Sequence, residues 1–162
     1  MNLAEYLRLL VDYDGWATGR ILAQTDGLVE EDAGAGASWR SIEGSMRHVL
    51  EAHATWLKRF AGQAQPAVQS PGFDALASTA AAIQENLVAF VESVAEAAWF
   101  DEVHFQDSRG NPHHDHLVVL LDHLVNHGTY HRGEAALLLT RLGRSPGDLD
   151  LVVYRRLTEP GR

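Results

Sequence analysis

The chain has 162 residues, 46% of them hydrophobic, which suits a single domain spanning residues 1–162 around one core. Its formal net charge of −9 argues against nucleic acid as a partner, because no cluster of Lys or Arg offsets the repulsion. The sequence has no cysteine, no run near the roughly 18 apolar residues of a membrane span and no secretory signal pattern, so we expect a cytoplasmic protein without disulfides or membrane contact.

The first two predicted elements are helices. Apolar residues recur every three or four positions from about Leu3 to Gln24, and Gly27 is a stop signal after them. The stretch EEDAGAGASW that follows has no periodicity and is typical of a loop. A second helix is predicted from Ser41, a good N-cap, to about Phe60.

The rest of the chain alternates loops with further helices. After the breaker-rich loop AGQAQPAVQSPGF, a third helix is predicted from about Asp74 to Ala97. The stretch WFDEVHFQDSRGNPHH alternates apolar and polar residues before the turn signal RGNP, which indicates a short hairpin-like excursion. A fourth helix is predicted from about His114 to Leu142, and DLDLVVYRRL forms a short terminal helix. These elements predict an all-α fold, a four-helix bundle with long connections.

Histidines interrupt the apolar stripe of the fourth helix. The stripe that must face the core reads Leu117, Leu120, Leu124, His127, His131, Ala135, Leu138 and Leu142. Imidazoles four residues apart lie on one face and can converge on one metal ion. The alternative is a pair of hydrogen-bonded core histidines, each of which would need its own polar partner. His123 also lies one turn before His127, but nearer the edge of the stripe. We expect it either to support a metal ligand from behind or to lie on the surface.

A pair on one helix needs a third ligand from elsewhere, and the second helix offers two histidines. Periodicity favours His53, which aligns with the bulky apolar positions of that helix. His48 lies on the shoulder of the same stripe, where small neighbours leave room for a pocket. The residue pattern alone leaves both open.

The motif HLVNHGTYHRGEAALLLTRLG closely resembles the signature of the DinB/YfiT-like family. YDGWATGRIL, SIEGSMRHVLEAHATWLKRF and LDLVVYRR are similar to that family's first-helix, second-helix and C-terminal patterns, so the likeness spans almost the whole chain. It implies a four-helix bundle that binds one divalent metal through His48, His127 and His131. Imidazole suits several divalent metals, and zinc and nickel are the first choices. Two positions depart from the family pattern: Tyr130, where another histidine is frequent, and Glu134, where Gln is frequent.

Three imidazoles leave a divalent ion with open coordination positions, as in catalytic sites. Because the chain has no cysteine, a sulfur nucleophile must come from outside. Some DinB-like proteins are S-transferases that use low-molecular-weight thiols such as bacillithiol, mycothiol or glutathione, and others are thiol-dependent isomerases. The resemblance therefore implies a metal-dependent transferase in which a bound thiolate attacks an electrophilic small molecule. The alternatives are a non-catalytic, metal-stabilised, stress-related binding module and a metal-dependent hydrolase.

Several other residues carry weaker expectations. Tyr130 is expected near the pocket mouth, and Trp56 as core or pocket lining. Arg132 is expected to pair with a carboxylate on a neighbouring helix rather than with substrate. The histidines at 113, 114 and 116 are expected to form the solvated start of the fourth helix. A second apolar face suggests a homodimer; it is formed by Leu9, Ile42 and Val88.

Overall fold

The structure is a computed structural model that describes residues 1–28, 38–64, 68–72 and 75–159. Its five α-helices are α1 (Leu3–Leu22), α2 (Ile42–Phe60), α3 (Leu76–Ser93), α4 (Leu117–Arg141) and α5 (Leu151–Thr158). A 3-10 helix (Glu96–Phe100) and the strands β1 (Glu102–Gln106) and β2 (Pro112–His116) lie between α3 and α4. The predicted predominance of helix is therefore confirmed, with one small antiparallel sheet added to it.

Side-chain caps fix the starts of the first two helices. Asn2 accepts from the backbone N–H of Glu5, whose side chain in turn accepts from the backbone of Asn2, a capping box. The predicted cap of α2 is confirmed, because Ser41 Oγ accepts from the N–H of Gly44 at 2.8 Å. α1 ends at Leu22, two residues before the predicted end at Gln24, and hydrogen-bonded turns follow it. The loop predicted at 30–39 lies mostly outside the described residues.

The segment after α3 differs from the single long helix that was predicted. The predicted start at Asp74 lies outside the described residues, and α3 ends at Ser93 rather than at Ala97. Val94 adopts an extended backbone with ψ of 124°, which breaks the helix. The 3-10 helix that follows turns Trp99 into the core, where it is fully buried. Burial of this large ring outweighs the local preference for continuing α3.

The predicted hairpin is present as β1 and β2. The carboxylate of Asp107 accepts from the backbone N–H groups of Arg109 and Asn111 and so stabilises the turn. β2 extends to His116, which pairs with Glu102. The prediction that α4 begins near His114 is therefore wrong, because strand pairing takes precedence and the helix begins at Leu117. His113 and His114 thus lie within β2, whereas His116 is both the last residue of β2 and the N-cap of α4.

The long helices enclose one core. α1 and α2 each pack against both α3 and α4. The stripe of α4 is buried as predicted from Leu117 to Leu138 except at His127, which is half-buried, and Leu142 at the helix end is 41% exposed. Ile42, assigned from the sequence to a second apolar face, is instead buried in the core. In the described part of the chain, no helix has the length and apolar character to cross a membrane.

Candidate metal centre

Three histidines from two helices meet in the structure. His127 and His131 lie one turn apart on α4, and His48 faces them from α2. The ring centroid of His48 is 4.8 Å from that of each partner, and the two α4 rings are 4.6 Å apart. One nitrogen from each ring can be chosen so that all three lie within 4.8 Å of one another. Among the described residues, this is the one group of three or more histidine or acidic side chains with such convergence.

The spacing of the donors fits a single divalent ion. His48 Nε2 and His127 Nε2 are 3.0 Å apart. Two nitrogens bound to one ion at about 2.0–2.1 Å are separated by roughly 3 Å, depending on the bond angle. The three rings could therefore hold a metal with small side-chain adjustments.

A carboxylate on α4 orients the third ring. Glu134 Oε2 lies 2.9 Å from His131 Nδ1. The other oxygen, Oε1, accepts from the backbone N–H of Ser38 at 3.1 Å and from its hydroxyl. Nε2 is thereby left as the nitrogen of His131 that can face the other two rings, the usual arrangement around a metal-binding histidine. The sequence analysis gave Glu134 no role, although its spacing of three residues from His131 on one helix was a usable signal.

The environment of the cluster favours neutral imidazoles. Burial is the main cause that lowers the pKa of His127, to about 4, and the positive charges of His131 and His48 lower it further. Burial and His131 also lower the pKa of His48. Because a metal binds only the neutral ring, these shifts favour metal binding by His48 and His127 in weakly acidic solution.

Aromatic side chains border the cluster. Trp39 stacks on His48 with ring centroids 4.1 Å apart, a contact that the sequence analysis missed because loop aromatics carry no periodicity. Tyr130 is 62% exposed, and its ring centroid lies 4.8 Å from that of His131. Tyr130 therefore lies beside the cluster and open to solvent.

His123 and Trp56 lie near the cluster but outside it. The ring of His123 is exposed, 5.9 Å from the ring of His127 and 5.7 Å from that of Trp56. Trp56 is buried and packs against Phe60 and Phe105, so it belongs to the core rather than to a pocket wall. Neither residue is part of the three-histidine group.

His53 belongs to a different network and does not join the cluster. It is 2% exposed, with Nδ1 2.6 Å from the carbonyl oxygen of Val49 and Nε2 2.9 Å from Asp14 Oδ2. The latter contact has the distance of an ion pair without the alignment of a good hydrogen bond. The structure thus brings His48, and not His53, to the histidines of α4.

Arg132 pairs with a carboxylate on a neighbouring helix, as expected, and this carboxylate is Asp14 on α1. Arg132 Nη1 donates to Asp14 Oδ1, and both side chains are almost fully buried. Burial by itself would raise the pKa of Asp14, but the charges of Arg132 and His53 outweigh it and lower that pKa to about 2. This ion pair connects α1 to α4 at Arg132, the residue that follows His131.

Together, the fold and the cluster define a mainly helical protein with three histidines placed to bind a divalent metal. The chain belongs to the DinB family, whose sequence model matches residues 2–162. No curated protein matches the chain in a sequence comparison. The family resemblance found in the sequence is therefore confirmed over nearly the full length, while the comparison supplies no substrate.

Proposed function

We propose that this protein is a metal-dependent transferase that activates a low-molecular-weight thiol for attack on an electrophilic small molecule. His48, His127 and His131 would hold the ion, with zinc or nickel as first choices because imidazole suits both. A bound divalent ion supplies Lewis acidity, which lowers the pKa of a coordinated thiol or water. The single observation that carries the proposal is the convergence of three imidazoles without a fourth histidine or acidic side chain among the described residues.

A site with three protein ligands is typical of catalysis, since structural zinc sites are usually closed by four. The chain's own residues would bind and orient. Glu134 holds the ring of His131, while the phenol of Tyr130 and the hydroxyl of Ser38, 3.5 Å apart, offer hydrogen bonds to a substrate. The absence of cysteine supports an external thiol as the sulfur nucleophile. The contacts of α1 and α2 with α3 and α4 support a four-helix bundle as the scaffold.

The test combines metal analysis with a turnover screen. Purified protein loaded with Zn²⁺ or Ni²⁺ is incubated with several low-molecular-weight thiols and a model electrophile, and loss of the free thiol is followed. His127→Ala should abolish thiol-dependent turnover and the binding of metal at the three-histidine cluster. His123→Ala is the matched control, because it removes an exposed imidazole from the same helix and should leave one metal ion bound per cluster.

The possible outcomes separate the candidate functions. A thiol-dependent rate above that of His127→Ala supports the transferase. Hydrolysis without thiol would favour a metal-dependent hydrolase and overturn the proposal. Metal bound by all three histidines without turnover on any thiol tested would favour a non-catalytic binding module. Equal metal loss in His127→Ala and His123→Ala would refute the ligand set itself.

A further inference from the structure

The outer face of the β1–β2 hairpin carries a group of imidazole and carboxylate side chains. The strand register pairs His104 with His114 and Glu102 with His116. Since side chains alternate along a strand and directly paired residues share a face, these four residues lie on the same side of the sheet. On the other side, Val103 and Phe105 pack against the core. The hairpin is therefore anchored by one face and open to solvent on the other.

The carboxylate of Glu102 lies close to both of the paired histidines. Its Oε2 is 3.6 Å from His104 Nε2, and its Oε1 is 4.0 Å from His114 Nε2. The two rings are stacked with centroids 5.4 Å apart. All three side chains are more than half exposed, so their rotamers can adjust with little resistance from neighbours. The carboxylate thus faces a different ring with each oxygen.

We propose that Glu102, His104 and His114 form a second metal site, which takes a divalent transition ion of the zinc, nickel or copper class. Two imidazoles and one carboxylate are donors that these ions accept. Donor atoms around one ion are separated by roughly 3 to 3.5 Å, so shifts of less than about 1 Å close the present carboxylate–imidazole separations. The ring of His116, on the same face, is directed to the carbonyl oxygen of Phe100, which lies 2.7 Å from its Nδ1, and His116 is not part of the proposed set.

Charge and position add support. The net charge of −9 favours the approach of cations from solution. A bound ion would cross-link β1 to β2 immediately before α4, the helix that carries His127 and His131. The site would therefore restrain the entry to that helix, and its existence does not depend on the proposed transferase activity.

The test removes the first cluster and asks whether a site remains. The triple variant His48→Ala/His127→Ala/His131→Ala is titrated with Zn²⁺ and with Ni²⁺ by isothermal titration calorimetry. We expect one ion to remain bound per chain. Adding His104→Ala and His114→Ala should abolish this binding, and adding Glu102→Gln should weaken it at least about tenfold, since even changes to residues behind metal ligands weaken binding by that much.

His113→Ala is the matched control. His113 lies in β2 and is exposed, but its register places it on the opposite face, opposite Phe105. It should leave the affinity unchanged. If the triple variant does not fold, the number of metal ions bound per chain is measured in the unaltered protein instead. We then expect two ions per chain, and one ion per chain in the His104→Ala/His114→Ala variant. No residual site in a folded triple variant, or equal losses in the His113 and His104/His114 variants, would overturn the proposal.

Discussion

Gly128 on α4 is required by the buried ion pair between Asp14 and Arg132. A Cβ atom at position 128 would lie 2.6 Å from Arg132 Nη1 and 2.7 Å from Asp14 Oδ1, well inside van der Waals contact. Arg132 cannot swing away at small cost, because it is 1% exposed and also bonded to Thr18 and Thr129. Gly128→Ala must therefore displace the pair or separate α1 from α4.

The expected loss of stability follows from two opposing contributions. Breaking a buried ion pair so that its charges lose their partners costs about 3–5 kcal/mol. The gain in helix propensity from Gly to Ala in a helix interior is about 1 kcal/mol. We therefore expect Gly128→Ala to lower the free energy of unfolding by roughly 2–4 kcal/mol, which corresponds to a fall in Tm of about 5–15 °C for a chain of this length.

Gly133→Ala on the same helix is the control. Position 133 is exposed, and a Cβ atom there would meet nothing within 4 Å, so this substitution should raise stability by up to about 1 kcal/mol. Urea denaturation followed by circular dichroism measures both variants under the same conditions. Gly128→Ala at least as stable as Gly133→Ala would refute the view that close approach to the ion pair excludes a side chain at 128.

Three further predictions concern the histidine cluster. Glu134→Ala should weaken metal binding about 10- to 100-fold in a chelator competition, whereas Glu134→Gln, which can still accept from His131, should retain much of the affinity; equal losses would contradict an orienting role. Burial lowers the pKa of His127 in the folded protein to about 4, from an ordinary value of about 6.5. The unfolded chain therefore binds more protons between these values, so the metal-free protein should lose stability as the pH falls from about 6.5 to about 4. Urea midpoints measure this slope, and His127→Gln should flatten it. Metal removal by a chelator should leave a cooperatively unfolding helical protein, since the core does not include the metal; loss of the cooperative melt would instead indicate a structural metal.

The helices could be predicted from the sequence because each long one buries a single apolar stripe. α1, α2 and α4 therefore appear within a few residues of their expected limits. The boundaries of the elements between α3 and α4 were harder to predict from the sequence. Trp99 and the β1–β2 pairing are tertiary effects, and neither the burial of one ring nor the register of two strands is encoded in local periodicity.

The choice between His48 and His53 shows the limit of periodicity most clearly. His53 lies in the centre of the apolar stripe of α2, and the structure places it in the interior for that reason. There its ring nitrogens meet Val49 and Asp14 instead of a metal. His48, on the shoulder of the stripe, faces α4 at a half-buried position where an ion could still exchange with solvent. A helical pattern predicts which residues are buried, but it does not predict which partners their side chains meet across a helix interface.

The geometry of α4 explains how one helix can carry both the histidine cluster and the buried ion pair with Asp14. His127 and His131 are four residues apart, as are Gly128 and Arg132, so the two pairs form parallel rows offset by about 100° around the helix. The first row faces His48 on α2, and the second faces Asp14 on α1. Gly128 allows α1 and α4 to approach closely, and Arg132 fixes their relative position one residue from His131. The orientation of His127 and His131 thus depends on the row formed by Gly128 and Arg132. Substitutions of Gly128 or Arg132 should therefore affect metal affinity, even though they remove no metal-binding atom.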